Sequence, residues 1–288
     1  MKMKNDIDGK TKLIGLIGSP ISHSKSPKLQ NASFDAIGEN FTYLAFDIGR
    51  QSVKEALDAL KLLGARGCNV TFPIKQEVVK YLDEVDYAAK LSGAVNTVVI
   101  EPDGSTTGYN TDGSGFVTSL GHLGLDIRDK KIVIVGAGGA GRALSVSLAK
   151  SGVKEIVIAD KYDEKSAQVR DIVSGEIKKA VKARTVKSDE QIISDELKDA
   201  YMLINATPLG MGNSDDCIIS SPDLLPENLK FVYDIVYGGQ KSMLLRYAEQ
   251  RGIPCSNGIP LMICQGLNSC KLWTGKSPDF EHAMDLIK

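Results

Sequence analysis

The sequence predicts an α/β fold in two domains: an N-terminal α/β domain and a C-terminal domain built on a parallel, doubly wound sheet. Three observations carry this. The chain has 288 residues, about two domains at roughly 150 residues each. Short apolar runs of strand length alternate with helical periodicity, the pattern of a parallel sheet covered by helices. A glycine-rich segment, GAGGAG at 136–141, directly follows one apolar run and opens a helical stretch.

The elements follow in order. Residues 13–17 (LIGLI) read as a short buried strand that runs into a Gly-Ser-Pro turn, and residues 27–37 as a helix. The alternation of FTYLAFD at 41–47 is that of a strand. Over 51–63, Val53, Ala56, Leu57, Leu60 and Leu63 fall on one helical face. Residues 66–71 form another short strand, with a helix expected near 76–82. Two runs, 95–100 and 105–109, flank Asp103-Gly104, a strong hairpin signal. In the second half, strands are expected at 132–135, 155–160, 201–205 and 231–234, and helices at 140–151 and 164–178. A helix at 114–123 is expected to bridge the domains, and the tail 261–288 is helical and amphipathic. The expected division is therefore 1–115, completed by 260–288, and 116–259.

Composition narrows the function classes. Thirty-five Lys and Arg against 36 Asp and Glu leave a net charge of −1, which argues against nucleic-acid or anionic-membrane binding by bulk charge. Charged residues at 25% and hydrophobic residues at 42% describe an ordinary globular chain rather than a disordered one. The apolar runs fall far short of the roughly 20 residues that span a bilayer. Residues 1–12 are polar, with no signal-peptide core. The five cysteines form no C-x-x-C pair, which suits reduced thiols in the cytoplasm, and no metal site is expected. The three histidines are far apart, so proton transfer in an enzyme of this sequence is expected to fall to Lys or a carboxylate.

Gly136, Ala137, Gly138, Gly139, Ala140 and Gly141 match G-x-G-x-x-G in its proper context, between a strand and a helix. Gly136 allows the tight turn, Gly138 lets backbone approach a pyrophosphate, and Gly141 permits close strand–helix packing. The helix N-terminus adds favourable partial charge for a phosphate. The C-terminal domain is thus expected to be a Rossmann dinucleotide-binding domain. Asp160 closes the next strand, EIVIAD. An acidic group there accepts hydrogen bonds from ribose hydroxyls and repels a 2′-phosphate. NAD is therefore favoured over NADP, with the neighbouring Lys161 offsetting part of that repulsion.

Four polar motifs stand at element ends of the first domain: GSPISHSKSP at 18–27, NVTFPIK at 69–75, AVNT at 94–97 and GYNTDGSGF at 108–116. Ser26 before Pro27 reads as an N-cap pair, and His23 is expected to orient its loop by hydrogen bonds. Together with GAGGAG, NATPLGM at 205–211, and Gly258 with Gln265, this set resembles the shikimate dehydrogenase family over essentially the whole chain.

That resemblance implies reversible oxidation of shikimate to 3-dehydroshikimate, with hydride passing to NAD or NADP, in the route to chorismate and the aromatic amino acids. It assigns Lys75 and Asp112 as the catalytic pair. Ser24, Ser26, Tyr43, Thr71, Asn96 and Gln265 become substrate contacts, and Thr207, Tyr237 and Gly258 join the glycine loop and Asp160 around the cofactor. Tyr43 resembles the branch that also takes quinate. A lysine ordinarily titrates near 10.4, so a lysine base near neutrality needs burial and the positive nicotinamide to favour its neutral form; an ionised carboxylate beside it opposes this, and the two groups are read as one coupled pair. The expected partners are thus a small molecule, shikimate with quinate as second candidate, and no nucleic acid or membrane; a homodimer is compatible with the sequence. Two alternatives stand beside this reading: a quinate/shikimate dehydrogenase of broader range, and a ligand sensor on the same scaffold without turnover.

Overall fold

The structure, a computed structural model, describes residues 7–176, 181–212 and 214–287. In chain order the elements are β1 (Lys12–Gly18), α1 (Ser26–Ile37), β2 (Phe41–Asp47), α2 (Val53–Leu62), β3 (Gly67–Val70), β4 (Glu84–Val85), α3 (Tyr87–Ser92), β5 (Thr97–Ile100), β6 (Thr106–Tyr109) and α4 (Thr111–His122). They continue with β7 (Lys131–Val135), α5 (Gly139–Lys150), β8 (Glu155–Asp160), α6 (Asp163–Glu176), β9 (Lys182–Lys187), α7 (Glu190–Leu197), β10 (Met202–Asn205), β11 (Phe231–Asp234), α8 (Met243–Gln250), β12 (Cys255–Ser256), α9 (Ile259–Thr274) and α10 (Phe280–Ile287). The chain divides into two compact units, Met1–Gly115 with Met262–Lys288, and Phe116–Leu261.

The first unit holds a six-stranded mixed sheet in the order β2-β1-β3-β5-β6-β4. β1 runs parallel to β2 and β3, β5 runs antiparallel to β3 and β6, and β4 runs parallel to β6. LIGLI is apolar throughout because both faces of β1 are covered. Ile14 and Leu16 pack with Phe34, Tyr43 and Trp273, whereas Ile17 packs with Leu57, Leu60 and Val98. Each such aliphatic side chain, once fully buried, contributes about 1.5–3 kcal/mol.

The second unit is a six-stranded, all-parallel sheet in the order β12-β11-β10-β7-β8-β9. Counted from β7 and read from β9, this is the order 3-2-1-4-5-6 of dinucleotide-binding folds, whose ligand crevice opens where the order reverses. That point lies between β7 and β10, and the glycine loop and the NATPLGM segment leave their C-terminal ends. Val133, Val157, Leu203 and Val232 form one apolar face of this sheet against Ile193, Leu197, Leu244 and Leu245.

Several expectations are corrected. No α-helix forms near 76–82; a 3₁₀ turn occupies Val78–Tyr81, with only Val78 buried and no side-chain cap to nucleate more. Leu63 lies beyond the end of α2 and is 68% exposed, because Gly64 takes φ +68° and turns the chain. Ser26 is the first helical residue of α1 rather than its cap; Lys25 holds the cap position without a side-chain bond. The tail is two helices, α9 and α10, with Gly275 between them at φ +75°. Of the expected helix 164–178, α6 reaches Glu176, and residues 177 and 178 lie outside the described residues. β4, α3, β9, α7, α8 and β12 have no counterpart in the sequence expectations. Among the described residues no helix is long and apolar enough to cross a membrane.

Candidate active site

The first unit gathers its polar motifs at element ends. Lys75 follows β3, and its backbone carbonyl accepts from the Val95 N–H at 2.9 Å, tying it to the segment before β5. Asp112 stands in the first turn of α4, where the helix N-terminus favours a carboxylate. Lys75 Nζ donates to Asp112 Oδ2 at 2.7 Å, with the two side chains 31% and 17% exposed. The other carboxylate oxygen, Oδ1, accepts from Asn96 Nδ2 at 2.8 Å. Asn96 cannot turn its amide over without loss, because its Oδ1 accepts the Thr111 N–H at 2.8 Å. Its Nδ2 also reaches Gln265 Oε1 at 3.4 Å. Lys75, Asn96, Asp112 and Gln265 are thus one hydrogen-bonded group.

Behind it lies a buried network that the sequence reading missed. Asn69 Nδ2 donates to the Asn96 carbonyl, Thr97 Oγ1 and Ser269 Oγ. Its Oδ1 accepts the Tyr43 hydroxyl at 2.8 Å. Ser269, from α9, also lies 2.8 Å from Thr97 Oγ1 and 3.2 Å from Thr111 Oγ1. Tyr43 is buried, and burial pushes its phenol well above the ordinary range; nearby Cys68 adds to this and a hydrogen bond with Ser26 opposes it. Tyr43 therefore joins the group through Asn69. Ser24 Oγ only accepts the Ser26 N–H at 3.2 Å, and Thr71 is tied by its N–H to the Ile17 carbonyl. His23 is exposed, and no hydrogen bond links its ring to the described residues; the expected loop-orienting bonds are not formed. Burial pushes the Cys68 thiol up to about 12, leaving it a packing group.

The second unit carries the glycine loop. Gly136 takes φ +107°, and a Cβ there would sit 2.7 Å from the Ala206 carbonyl. A Cβ at Gly141 would collide with the Gly136 carbonyl oxygen. At Gly138 and Gly139 a Cβ would meet nothing, and both are exposed at the start of α5, next to Ala140. The first pair is glycine for packing. The second leaves bare backbone N–H groups open at a helix N-terminus, which fits a dinucleotide pyrophosphate.

Asp160 faces this loop. Its Oδ2 accepts the Ala137 N–H at 2.7 Å and its Oδ1 the Tyr162 N–H at 2.9 Å. Each oxygen keeps a second lone pair for a ribose hydroxyl. Lys161 and Lys165 hold their ammonium groups 4.9 and 4.7 Å from the Tyr162 ring. Thr207 donates its N–H and hydroxyl to Asn205 Oδ1. Gly258 lies against the Ile235 carbonyl and the Tyr237 ring, where a Cβ would not fit. Among the described residues no cluster of His, Cys, Asp and Glu is arranged to hold a metal.

Comparison with known proteins agrees with both halves. A family model described as the shikimate dehydrogenase substrate binding domain matches residues 16–98. A second, described as the saccharopine dehydrogenase NADP binding domain, matches residues 132–211. A curated relative from Alkaliphilus metalliredigens, named shikimate dehydrogenase (NADP(+)), is 40% identical over 286 residues, 99% of each chain. The crystal structure of shikimate 5-dehydrogenase from Listeria monocytogenes in complex with shikimate and NAD has a TM-score of 0.92 at 35% identity, covering 100% of both chains. Quinate dehydrogenase from Corynebacterium glutamicum in complex with NAD has a TM-score of 0.86 at 33% identity, covering 96% of this chain and 98% of that one.

Proposed function

The chain belongs to the shikimate dehydrogenase family, and from that premise we propose that it reversibly oxidises shikimate to 3-dehydroshikimate with NAD or NADP, as a cytoplasmic enzyme of the shikimate pathway. The observation that carries the reading is the Lys75–Asp112 contact at 2.7 Å, with Asn96 holding the far carboxylate oxygen. Oxidising an alcohol needs a hydride acceptor, which the nicotinamide supplies when bound, and a base for the hydroxyl proton. Lys75 Nζ is that base in its neutral form, and in its ammonium form it returns the proton in the reverse direction. Asp112 steadies the ammonium and fixes its position. Asn96 and Gln265 offer amide groups to the remaining hydroxyls, and Ser24, Ser26 and Thr71 offer hydroxyls to the rest of the substrate. Buried Tyr43, committed to Asn69, acts as a wall that sets the orientation of that amide.

Purified protein mixed with shikimate and either oxidised cofactor should produce reduced nicotinamide. Tight shikimate binding with no turnover on either cofactor would instead support a non-catalytic sensor. Quinate is the second substrate to assay, given the likeness to a quinate dehydrogenase; equal kcat/KM for the two acids would assign the broader enzyme. Sedimentation equilibrium separates monomer from homodimer.

Asp160 leads to NAD as the favoured cofactor. Replacing it, Asp160→Ala, removes the brace on the Ala137 N–H, which weakens both cofactors, and removes the charge that rejects a 2′-phosphate. The ratio of kcat/KM for NAD to that for NADP should therefore fall about tenfold, the equivalent of one charged hydrogen bond. An unchanged ratio would count against its role at the ribose.

A further inference from the structure

Asp234, at the end of β11, is fully buried, yet the catalytic reading makes no use of it. It stands in register with Asn205 at the end of β10. Its Oδ1 accepts from Asn205 Nδ2 at 2.9 Å and from the Val236 N–H at 3.1 Å. Its Oδ2 accepts from Ser242 Oγ at 2.5 Å. Every contact is a donor aimed at the carboxylate, so both oxygens are satisfied within the protein. Burial raises this carboxyl above its ordinary range, and the bonds from Ser242, Val236 and Asn205 oppose the rise.

What these partners hold is specific. Asn205 Oδ1 receives both the N–H and the hydroxyl of Thr207, and its Nδ2 also reaches the Leu209 carbonyl. Val236 lies one residue before Tyr237, and Ile235 packs its carbonyl against Gly258. Ser242 caps α8 by accepting the Leu245 N–H, which closes the 235–242 loop. Asp234 is therefore the only group among the described residues that bonds to both Asn205 and Ser242.

We propose that Asp234 is a positioning residue for the nicotinamide end of the cofactor site: its carboxylate clamps the loop carrying Thr207 to the loop carrying Tyr237. This rests on the proposed function, in which Thr207 and Tyr237 face the cofactor. The clamp works by geometry, not by net charge. An amide in its place keeps an oxygen for Asn205 and Val236 and turns its NH₂ toward Ser242 Oγ, which has acceptor capacity to spare.

The test compares Asp234→Ala, Asp234→Asn and Ser242→Ala with the wild type. Measured are KM for NAD and NADP, KM for shikimate, kcat, melting temperature, and amide hydrogen exchange at 207–209 and 235–237. Asp234→Ala should raise both cofactor KM values about tenfold, the cost of leaving buried donors unpaired, with the shikimate KM within about twofold and faster exchange in both loops. Asp234→Asn should restore the cofactor KM to within about threefold of wild type, and Ser242→Ala should fall between the two. Should Asp234→Ala fail to fold, the contrast between Ser242→Ala and Asp234→Asn decides. Cofactor KM values unmoved while the melting temperature falls would overturn the proposal, as would Asp234→Asn losing as much as Asp234→Ala. Absence of turnover in the wild type would defeat the functional reading instead, and loop exchange would still report on the clamp.

Discussion

Lys75→Ala is expected to lower kcat for shikimate oxidation by about 10²–10⁴-fold, the usual contribution of a general acid–base group, while shikimate still binds. The substrate contacts proposed for Asn96, Gln265 and the serines do not pass through Lys75, so KM should move by only a few-fold. Stability should change little. The Lys75–Asp112 pair is short at 2.7 Å, yet both side chains keep partial contact with water, and exposed or half-exposed pairs contribute at most about 1 kcal/mol. Steady-state kinetics with a thermal melt separates these effects. Near-normal kcat would remove Lys75 from the chemistry.

Asp112→Ala should be as costly but differently distributed. It strips Lys75 of its partner and leaves Asn96 Nδ2 without its charged acceptor. The Thr111 N–H still holds Asn96 Oδ1, so the amide keeps its direction while one of its N–H groups loses a charged acceptor. A kcat about 10²-fold lower is expected, together with a shikimate KM raised about tenfold, one charged hydrogen bond's worth. The Lys75→Ala/Asp112→Ala double variant should cost about as much as either single one, because groups that act as a unit are not additive. Additive losses in the double variant would mean that the two side chains act separately.

The parts of the fold that sequence reasoning reached share a physical cause. FTYLAFD, EIVIAD and FVYD became strands with the expected bounds, because β-branched and aromatic residues flanked by turns leave few alternatives. Asp103-Gly104 likewise announced the β5–β6 hairpin. β9, with the sequence KARTVK, is a half-exposed strand at the sheet edge and carries no apolar alternation to read. α7 is announced only by its Asp189 cap, whose side chain accepts the Gln191 and Ile192 N–H groups, and a single Asp in a polar stretch is a weak signal without the rest of the fold.

The candidate site divides the same way. Lys75, Asn96 and Asp112 lie in polar motifs at element ends, so the motifs are legible in the chain, while the roles proposed for them come from the family resemblance. Ser269 is not legible there, since it looks like any small helical residue until α9 places it 3.1 Å from Asn69, two hundred residues away in sequence. Asn69 and Thr111 sit in the same motifs, but their partners come together only in the folded sheet. Asp234 closed a strand, as Asp160 does, but its burial and its three donors are products of the folded sheet.

The pairing of Lys75 with Asp112 as the centre of substrate chemistry is tested most directly by a crystal structure with shikimate bound. One ring hydroxyl should lie within about 2.6–3.2 Å of Lys75 Nζ, the reach of a proton-transfer group, with an adjacent contact to Asp112 and the neighbouring hydroxyls on Asn96 and Gln265. Shikimate bound with its carboxylate on Lys75, or with no hydroxyl in reach of that ammonium, would contradict the assignment.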